Sequence, residues 1–193
     1  MTPERQKKLQ EVIKRRQFDL TVVLENVWDP HNIAAVLRSC DAVGVQNVYV
    51  LSPGGKKESK LGRKSSASAS KWLTIHHFNN AEECFTELRK HHHHIYSSRI
   101  AEDAKSMYEM DFCASLALVF GNEKDGVSEK VRSLSDGSFV IPQVGMIQSL
   151  NISVACAVTL YECYRQRIIC GSYNGSMADA ARVNLLEKWK SSS

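Results

Sequence analysis

The chain has 193 residues, 43% of them hydrophobic, which is enough for one full-sized core and predicts a single domain with short terminal additions. The net charge is +4, and residues 1–17 account for all of it, with six basic and two acidic side chains. No apolar run approaches the ~18 residues of a membrane span and the start of the chain is charged, so we expect a cytoplasmic protein without membrane contact.

The first segment has the apolar spacing of an amphipathic helix. Leu9, Val12 and Ile13 recur at i, i+3 and i+4, so the helix would dock on the body through this stripe. Its other faces carry the basic groups, among them Lys7, Lys8, Arg15 and Arg16. The clustering favours contact with a polyanion, and the alternative is a solvated, charged helix face.

Short β-branched runs alternate with helical stretches through the rest of the chain. This alternation is typical of βαβ units and predicts an α/β fold, with a mostly parallel sheet flanked by helices. The predicted strands are residues 21–25, 47–51, 94–97, 116–120 and 138–141. The predicted helices after the first are residues 30–42, 81–91, 127–134, 149–169 and 178–190.

Two polar stretches lie between these elements. Residues 56–70 are rich in lysine and serine, including Lys64, and predict a mobile basic loop suited to phosphate contact. Residues 91–94 are four histidines without the separated spacing that lets imidazoles converge on one ion. We therefore expect a partly solvated turn there and no metal site.

The six cysteines contain no C-x-x-C pair, which favours free thiols in a reducing compartment. Cys156, Cys163 and Cys170 fall seven residues apart on one helix face. Successive members would lie about 10 Å apart along the axis, too far for a disulfide among them. We expect these three to be small apolar packing residues.

The commonest ligand-binding signatures of α/β proteins are absent from the sequence. There is no G-x-G-x-x-G after a strand, no G-x-x-x-x-G-K-[ST] and no G-x-S-x-G. Ordinary dinucleotide binding, P-loop phosphoryl transfer and the commonest serine hydrolases are therefore disfavoured. Any ligand of this α/β protein must therefore be bound by segments other than these common motifs.

Polar residues concentrate in three stretches, of which the first is residues 25–44. Asp29 can cap a helix and Pro30 suits its first position. Asn32 and Arg38 lie six residues apart, about 240° around a regular helix, so they do not share a face. Taken alone, this stretch favours a structural interpretation, with a capping-region asparagine and a surface arginine.

The second stretch runs from Gly121 to Gly126 as Gly-Asn-Glu-x-x-Gly, directly after a predicted buried strand. It places flexible backbone at the carboxyl end of the sheet, where open α/β folds bind ligands. The Glu123 carboxylate could there fix a ribose, a cationic ligand or a catalytic arginine. The alternative is a tight turn before a helix.

The third stretch, residues 141–153, passes from a strand through a proline- and glycine-containing loop into a helix start rich in serine and asparagine. It presents several free backbone N–H and C=O groups, which can read the edge of an adenine. The small residues that follow suit either a subunit interface or tight core packing.

Together, these segments resemble motifs 1, 2 and 3 of the SpoU/TrmH family within the SPOUT, or α/β-knot, methyltransferases. The resemblance rests on Asn32 with Arg38, on Phe-Gly-Asn-Glu-x-x-Gly at 120–126, and on Ile-Pro…Gly-Met-x-x-Ser-Leu-Asn-x-Ser at 141–153. It implies a trefoil knot on the C-terminal side, S-adenosylmethionine as cofactor and a homodimer packed through the knot region. Residues 15–22, Arg-Arg-Gln-x-Asp-Leu-Thr-Val, are similar to the tRNA-modifying members, which implies methylation of a tRNA ribose 2′-hydroxyl at guanosine-18 of the D-loop.

The resemblance also assigns roles to residues and segments. The catalytic positions it implies are Asn32, Arg38, Glu123, Ser149 and Asn151. The cofactor positions are Ser98, Gly121, Ile141, Met146 and Leu150. The basic residues expected to bind RNA are Lys7, Lys8, Arg15, Arg16 and Lys64. The segments are a basic helix at 1–17, the methyltransferase domain at 18–170 and a helical extension at 171–193.

The chain departs from the family pattern in one loop. The family usually has a glycine before the position of Lys71, and here Ala67 and Ala69 flank Ser68. The family's conformation of this loop, and any substrate contact that it makes, are therefore not carried over.

Arg38 is the position that the family favours for activating the ribose hydroxyl. A free arginine stays protonated far above neutral pH, so presenting it neutral near pH 7 would cost roughly 7.5 kcal/mol. We therefore expect a charged clamp on the ribose-adjacent phosphate and the developing alkoxide, held by Glu123 and Asn32, with the proton leaving to water or phosphate.

Three other functions remain open at this level. The chain could be an rRNA 2′-O-methyltransferase of the same family, or a non-catalytic RNA-binding module on this fold, although no motif residue is missing. It could also be a small-molecule α/β enzyme, which would not need a basic N-terminal helix.

Overall fold

A computed structural model describes residues 2–53, 69–101 and 103–191. Its strands are β1 Gln17–Glu25, β2 Val45–Leu51, β3 Thr74–Phe78, β4 His94–Ser98, β5 Lys105–Ser106, β6 Leu116–Phe120 and β7 Gly137–Val140. Its α-helices are α1 Pro3–Lys14, α2 Pro30–Ala42, α3 Ala81–Arg89, α4 Glu129–Leu134, α5 Ile152–Ile169 and α6 Ala180–Ser191. Short 3-10 helices span Ser70–Trp72 and Met107–Glu109.

Over the described residues the strands form one sheet in the order β3-β2-β1-β6-β4-β7-β5, and every neighbouring pair is parallel. The predicted α/β class with a mostly parallel sheet is confirmed. β1 lies near the centre, and its side chains alternate between the two faces: Leu20, Val22 and Leu24 enter one core and Val23 the other. This two-sided burial is typical of central parallel strands covered by helices.

Helices cover both faces of the sheet. α2 and α5 pack together over the face that contains Val22, while α3 and α4 cover the face that contains Val23. A third, smaller core forms where α1 and α6 lie side by side. Its buried members are Leu9, Ile13, Leu185, Leu186 and Trp189.

Two strands were not predicted from the sequence. β3 is a half-exposed edge strand containing His76 and His77, so it lacks an apolar run. It is held instead by pairing with β2 and by stacking of His76 on Tyr49, with ring centroids 4.5 Å apart. β5 is only two residues long and pairs with β7 at the other edge.

Helix boundaries follow the capping residues. α2 begins and ends where the sequence predicts, because Asp29 accepts a hydrogen bond from the His31 N–H at 2.9 Å and Pro30 occupies the first position. α5 begins three residues later than predicted. Its cap is Asn151, whose Oδ1 accepts from the Ser153 N–H at 2.8 Å.

Arg167 joins three parts of the fold at the end of α5. Its guanidinium is fully buried and donates to the carbonyls of Phe112 and Ala114 and to the side chains of Gln17 and Asp19, at 2.7–2.8 Å. These bonds satisfy the buried cation. They fasten the start of β1 and the segment before β6 to α5.

The expectation of free cysteines is wrong for one pair. The structure joins Cys113, which precedes β6, to Cys170, which follows α5, as a disulfide with a Cα–Cα distance of 6.6 Å. The spacing of Cys156, Cys163 and Cys170 excludes bridges only along one helix, whereas this bridge links two different segments. Cys156 and Cys163 are buried packing residues, as predicted, and both lie in the core that contains α2 and α5.

The histidine run is partly solvated, as predicted. His91, His93 and His94 are exposed, and His94 begins β4. His92 is buried, with its Nε2 2.9 Å from the Thr21 hydroxyl. Within the described ranges, no group of His, Cys, Asp and Glu residues is arranged to hold a metal ion.

Burial lowers the pKa of His92 to about 4, and neighbouring His91 adds to the effect. The folded-state pKa is below the ordinary value of 6.5, so His92 contributes stability above pH 6.5 that is lost as pH falls through 4. We expect the free energy of unfolding to fall by up to about 3 kcal/mol across this window. Urea unfolding at several pH values measures it. The variant His92→Gln should flatten this part of the profile, and an equally steep fall in the variant would contradict the assignment.

Candidate active site

A pocket of about 580 Å³ lies beyond the carboxyl ends of β4, β6 and β7. This is the edge of the sheet at which open α/β folds bind ligands. Among its lining residues are the predicted cofactor positions Ser98, Gly121, Ile141 and Leu150, together with Glu123 and Ser149. The pocket is within the size range of small-molecule and cofactor sites.

Met146 is the one predicted cofactor position that does not line this pocket. Its side chain is 97% exposed in the loop between β7 and α5. The loop reaches into solvent at this point, and Val144 and Ile147 are also largely exposed. Met146 therefore does not form part of the pocket wall in the isolated chain, and its cofactor contact stays a prediction.

The loop after β6 folds back tightly on itself. Asn122 Oδ1 accepts hydrogen bonds from the N–H groups of Lys124 and Asp125 at 2.9 and 2.8 Å, and the Gly126 N–H donates to the Asn122 carbonyl at 3.0 Å. Gly126 has a φ of +65°, a conformation that favours glycine. The Glu123 side chain within this turn is thereby projected at the pocket rim.

Gly121 is required by the close approach of this loop. A Cβ on Gly121 would lie 2.0 Å from the carbonyl carbon of Gly126 and 2.3 Å from the nitrogen of Val127. Both contacts are with backbone, so no side-chain rotation relieves them. Any side chain at this position would therefore force the backbone of the loop to shift.

A buried carboxylate anchors the far end of the same loop. Glu25, the last residue of β1, is 1% exposed and accepts hydrogen bonds from the Ser128 N–H at 2.8 Å and from the Ser128 hydroxyl. Ser128 in turn caps α4. Glu25 was not predicted as a site residue from the sequence, although a carboxylate that ends a buried strand is itself a signal.

Three of the predicted catalytic residues meet at the pocket rim. The Asn32 amide on α2 donates to Glu123 Oε1, and Asn151 Nδ2 donates to Asn32 Oδ1 at 3.0 Å. The residues come from the entry of α2, the loop after β6 and the cap of α5. Asn32 is therefore the bridge that fixes the Glu123 carboxylate relative to α5.

Arg38 is not part of this network. It is exposed on α2, and no hydrogen bond or ion pair of its guanidinium is found among residues 2–53, 69–101 and 103–191. It does not line the pocket. The expected clamp held by Asn32 and Glu123 is absent from the isolated chain, because positions six apart on a helix point in different directions.

The basic residues predicted to bind RNA divide into three groups. Lys7, Lys8 and Arg15 are exposed on or just after α1. Arg16 is 1% exposed, with its guanidinium bonded to Asp41 and to the Val45 carbonyl, so it does not lie on the open surface with the other three, and its RNA contact stays a prediction. Lys64 lies outside the described residues, as do Ala67 and Ser68 of the loop that departs from the family pattern.

Several pocket residues were missed by the sequence analysis. The segment after β4 contributes Arg99 and Ile100, directly beyond the predicted Ser98. The loop between β7 and α5 contributes Gln143 and Gln148, whose side chain and carbonyl are joined at 3.2 Å. Arg99 and Ile100 could have been predicted, because they directly follow a parallel strand. Nothing in the sequence around Gln143 and Gln148 indicates that they line a pocket.

The pocket lining suits a nucleoside that carries charged groups, since side chains of both signs line it. Residues 142–150 are exposed and lie outside helices and strands, so their backbone groups are available to a purine edge. The carboxylates of Glu123 and Asp125 stand at the wall for ribose hydroxyls or a cation. The residues present therefore fit S-adenosylmethionine.

The chain matches the SpoU rRNA Methylase family over residues 19–161 and belongs to it. It is 42% identical over 178 residues to a tRNA (guanosine(18)-2′-O)-methyltransferase of Thermus thermophilus, with 92% of this chain and 91% of that protein covered. The structure of a TrmH/SpoU tRNA-modifying enzyme from A. aeolicus has a TM-score of 0.88 at 36% identity and covers 98% of this chain and 96% of that one.

A second similar structure contains the cofactor. The SpoU methyltransferase AviRb from Streptomyces viridochromogenes, in complex with AdoMet, has a TM-score of 0.66 at 27% identity and covers 80% of this chain and 62% of that chain. No helix within the described residues has the length and apolar character needed to span a membrane.

Proposed function

We propose that this chain methylates the 2′-hydroxyl of a tRNA ribose with S-adenosylmethionine, and that the target is guanosine-18 of the D-loop. The observation that carries the proposal is the convergence of Asn32, Glu123 and Asn151 beside the pocket. The similarity to tRNA (guanosine(18)-2′-O)-methyltransferases over most of the chain supports the nucleotide.

Ser98, Gly121, Ile141 and Leu150 would hold the cofactor, which supplies an electrophilic methyl group when bound. Glu123 is fixed by Asn32, so its carboxylate is positioned before any ligand enters. This preorganisation lowers the cost of aligning the reacting groups. Ser149, also at the wall, offers a hydroxyl for hydrogen bonding.

Arg38 would bind the phosphate next to the ribose and stabilise the developing alkoxide. An arginine stays charged near pH 7 and its planar guanidinium can contact two oxygens at once. The proton of the hydroxyl would pass to water or phosphate.

We further propose that the active unit is a homodimer and that Arg38 serves the pocket of the partner subunit. Val154, Val158 and Tyr161 form an exposed apolar stripe on α5 at i, i+4 and i+7. α5 packs against α2, which carries Arg38. Pairing through this stripe would cover apolar surface and would bring a second α2 near each pocket.

Family membership supports two finer features. The first is a trefoil knot on the C-terminal side of the fold. The second is the division into a basic segment at 1–17, a methyltransferase domain at 18–170 and an extension at 171–193. The helices α1 and α6 fall within the two terminal segments.

The function is tested with methyl-labelled S-adenosylmethionine and three RNAs: unmodified tRNA, rRNA, and tRNA altered at guanosine-18. We expect label in the first RNA only, mapped to the ribose of guanosine-18. Label in rRNA alone would assign the chain to rRNA, and no label in any RNA would contradict the enzyme assignment.

A further inference from the structure

A second cleft, of about 380 Å³, lies beside α1 and α6, and it shares no lining residue with the pocket at the sheet edge. The lining residues are Arg5, Lys8, Leu9, Val12, Arg16, Asp41, Trp72 and Trp189. Aromatic and aliphatic groups thus combine with three arginine or lysine side chains. None of the predicted catalytic or cofactor positions lies in this cleft, although Lys8 and Arg16 are among the residues predicted to bind RNA.

Two tryptophans form one part of the cleft. Trp72 and Trp189 contact edge to face, with ring centroids 5.0 Å apart, and Trp72 remains half-buried. Cations accompany both rings: Lys71 Nζ lies 5.4 Å from the Trp72 centroid, and Arg16 Cζ lies 5.1 Å from that of Trp189. Aromatic rings beside cations are the combination that proteins use to stack bases and neutralise phosphates of single-stranded RNA.

Arg16 gives an independent indication of a ligand. Its terminal nitrogens are bonded to the Val45 carbonyl and to Asp41, but its Nε has no hydrogen-bond partner within the described residues, although Arg16 is 1% exposed. Buried donors are normally satisfied, and each exception needs an explanation. An acceptor atom of a ligand in the cleft would satisfy it.

The charges around the cleft favour an anion. Asp41, the acidic lining residue, is already paired with Arg16. Arg5 and Lys8 form no ion pair within the described part of the chain. Exposed Lys7, Lys14 and Arg15 extend the basic surface along α1, further than a free mononucleotide would require.

We propose that this cleft receives an unpaired nucleotide of the RNA substrate, with the base against Trp72 and the phosphate at Arg5 and Lys8. The proposal rests on the proposed function for the identity of the RNA. It gives the terminal helices a specific task, because a nucleotide held here fixes the RNA at a point separate from the methylated ribose.

Ultraviolet cross-linking of the full-length protein to unmodified tRNA, followed by peptide mapping, tests the contact directly. We expect cross-links on Trp72 or on the cleft-facing residues of α1. Cross-links confined to other surfaces would overturn the proposal. The mapping uses the unaltered chain, so it does not depend on a variant folding.

Binding measurements with variants provide the second test. Trp72→Leu keeps an apolar side chain but removes the stacking face, and we expect about tenfold weaker tRNA binding. Lys8→Glu should also weaken binding, whereas the control Lys90→Glu, an equal charge change at the end of α3, should not. Thermal melting of each variant checks folding.

The outcomes separate this proposal from the enzyme assignment. If tRNA is methylated and Trp72→Leu binds tRNA as well as Lys90→Glu does, the cleft proposal fails and the function stands. If tRNA cross-links to the cleft but no methylation occurs, the cleft stands and the function fails. S-adenosylmethionine binding should be unchanged in all three variants, since the cleft is separate from the pocket.

Discussion

Replacing Arg38 with alanine should lower kcat by about 10²–10³, the effect of removing one charge-stabilising donor, while S-adenosylmethionine binding stays unchanged. The reason is that Arg38 lies outside the pocket and would act on the ribose and its phosphate. Arg38→Lys should also lose most of the activity, because an ammonium cannot make the paired contact. Single-turnover rates and calorimetric cofactor binding measure the two effects.

The lysine variant also separates a charged clamp from a general base. A lysine, with a pKa near 10.4, would become a working base at alkaline pH, so activity that recovers steeply between about pH 8 and 10 would contradict the clamp. Arg89→Ala is the matched control, since it removes a guanidinium bonded to Asp136 at the amino end of β7, away from the pocket. It should leave the rate unchanged.

Mixing two inactive variants tests whether Arg38 acts across the dimer. If Arg38 acts on the partner's pocket, a heterodimer of Arg38→Ala and Leu150→Glu has one site with both defects and one site with neither. Random pairing should therefore restore about a quarter of the normal activity. If the mixture stays inactive although the subunits exchange, Arg38 does not serve the partner's pocket.

Gly121→Ala should destabilise the loop after β6 by about 1–3 kcal/mol, because its Cβ would overlap the backbone of Gly126 and Val127. Since the same loop forms a wall of the pocket, we expect S-adenosylmethionine affinity to fall by roughly tenfold or more. Isothermal calorimetry and urea unfolding measure the two quantities.

Gly137→Ala is the control for this substitution. Its Cβ would meet Tyr96 at 3.5 Å, an ordinary contact. The control should bind the cofactor as the unaltered chain does. Equal cofactor affinity in Gly121→Ala would show that the tight turn is not needed for the pocket.

The sequence predicted the features that depend on short segments. The buried strand before Gly121, the capped start of α2 and the apolar stripe of α1 each carry their own pattern, and the structure contains all three. The catalytic and cofactor positions came from the family resemblance. The contact of Asn32 with Glu123 and Asn151 could not be derived from spacing alone.

What the sequence did not predict depends on partners far along the chain. Arg16 belongs to a basic cluster, but Trp189 and Asp41 enclose it. Cys113 and Cys170 are 57 residues apart, and nothing local to either indicates the other. β3 lacks an apolar run, and its own residues do not indicate its pairing with β2.

Arg167 has a consequence for synthesis of the chain. The acceptor at Gln17 is made 150 residues before its donor, so the start of the central strand lacks this bond until nearly the whole chain has been translated. The strands of the amino-terminal half can pair early, but the hydrogen bond from Arg167 to Gln17 cannot form until α5 has been made. Completion of the fold is therefore coupled to the arrival of the last long helix.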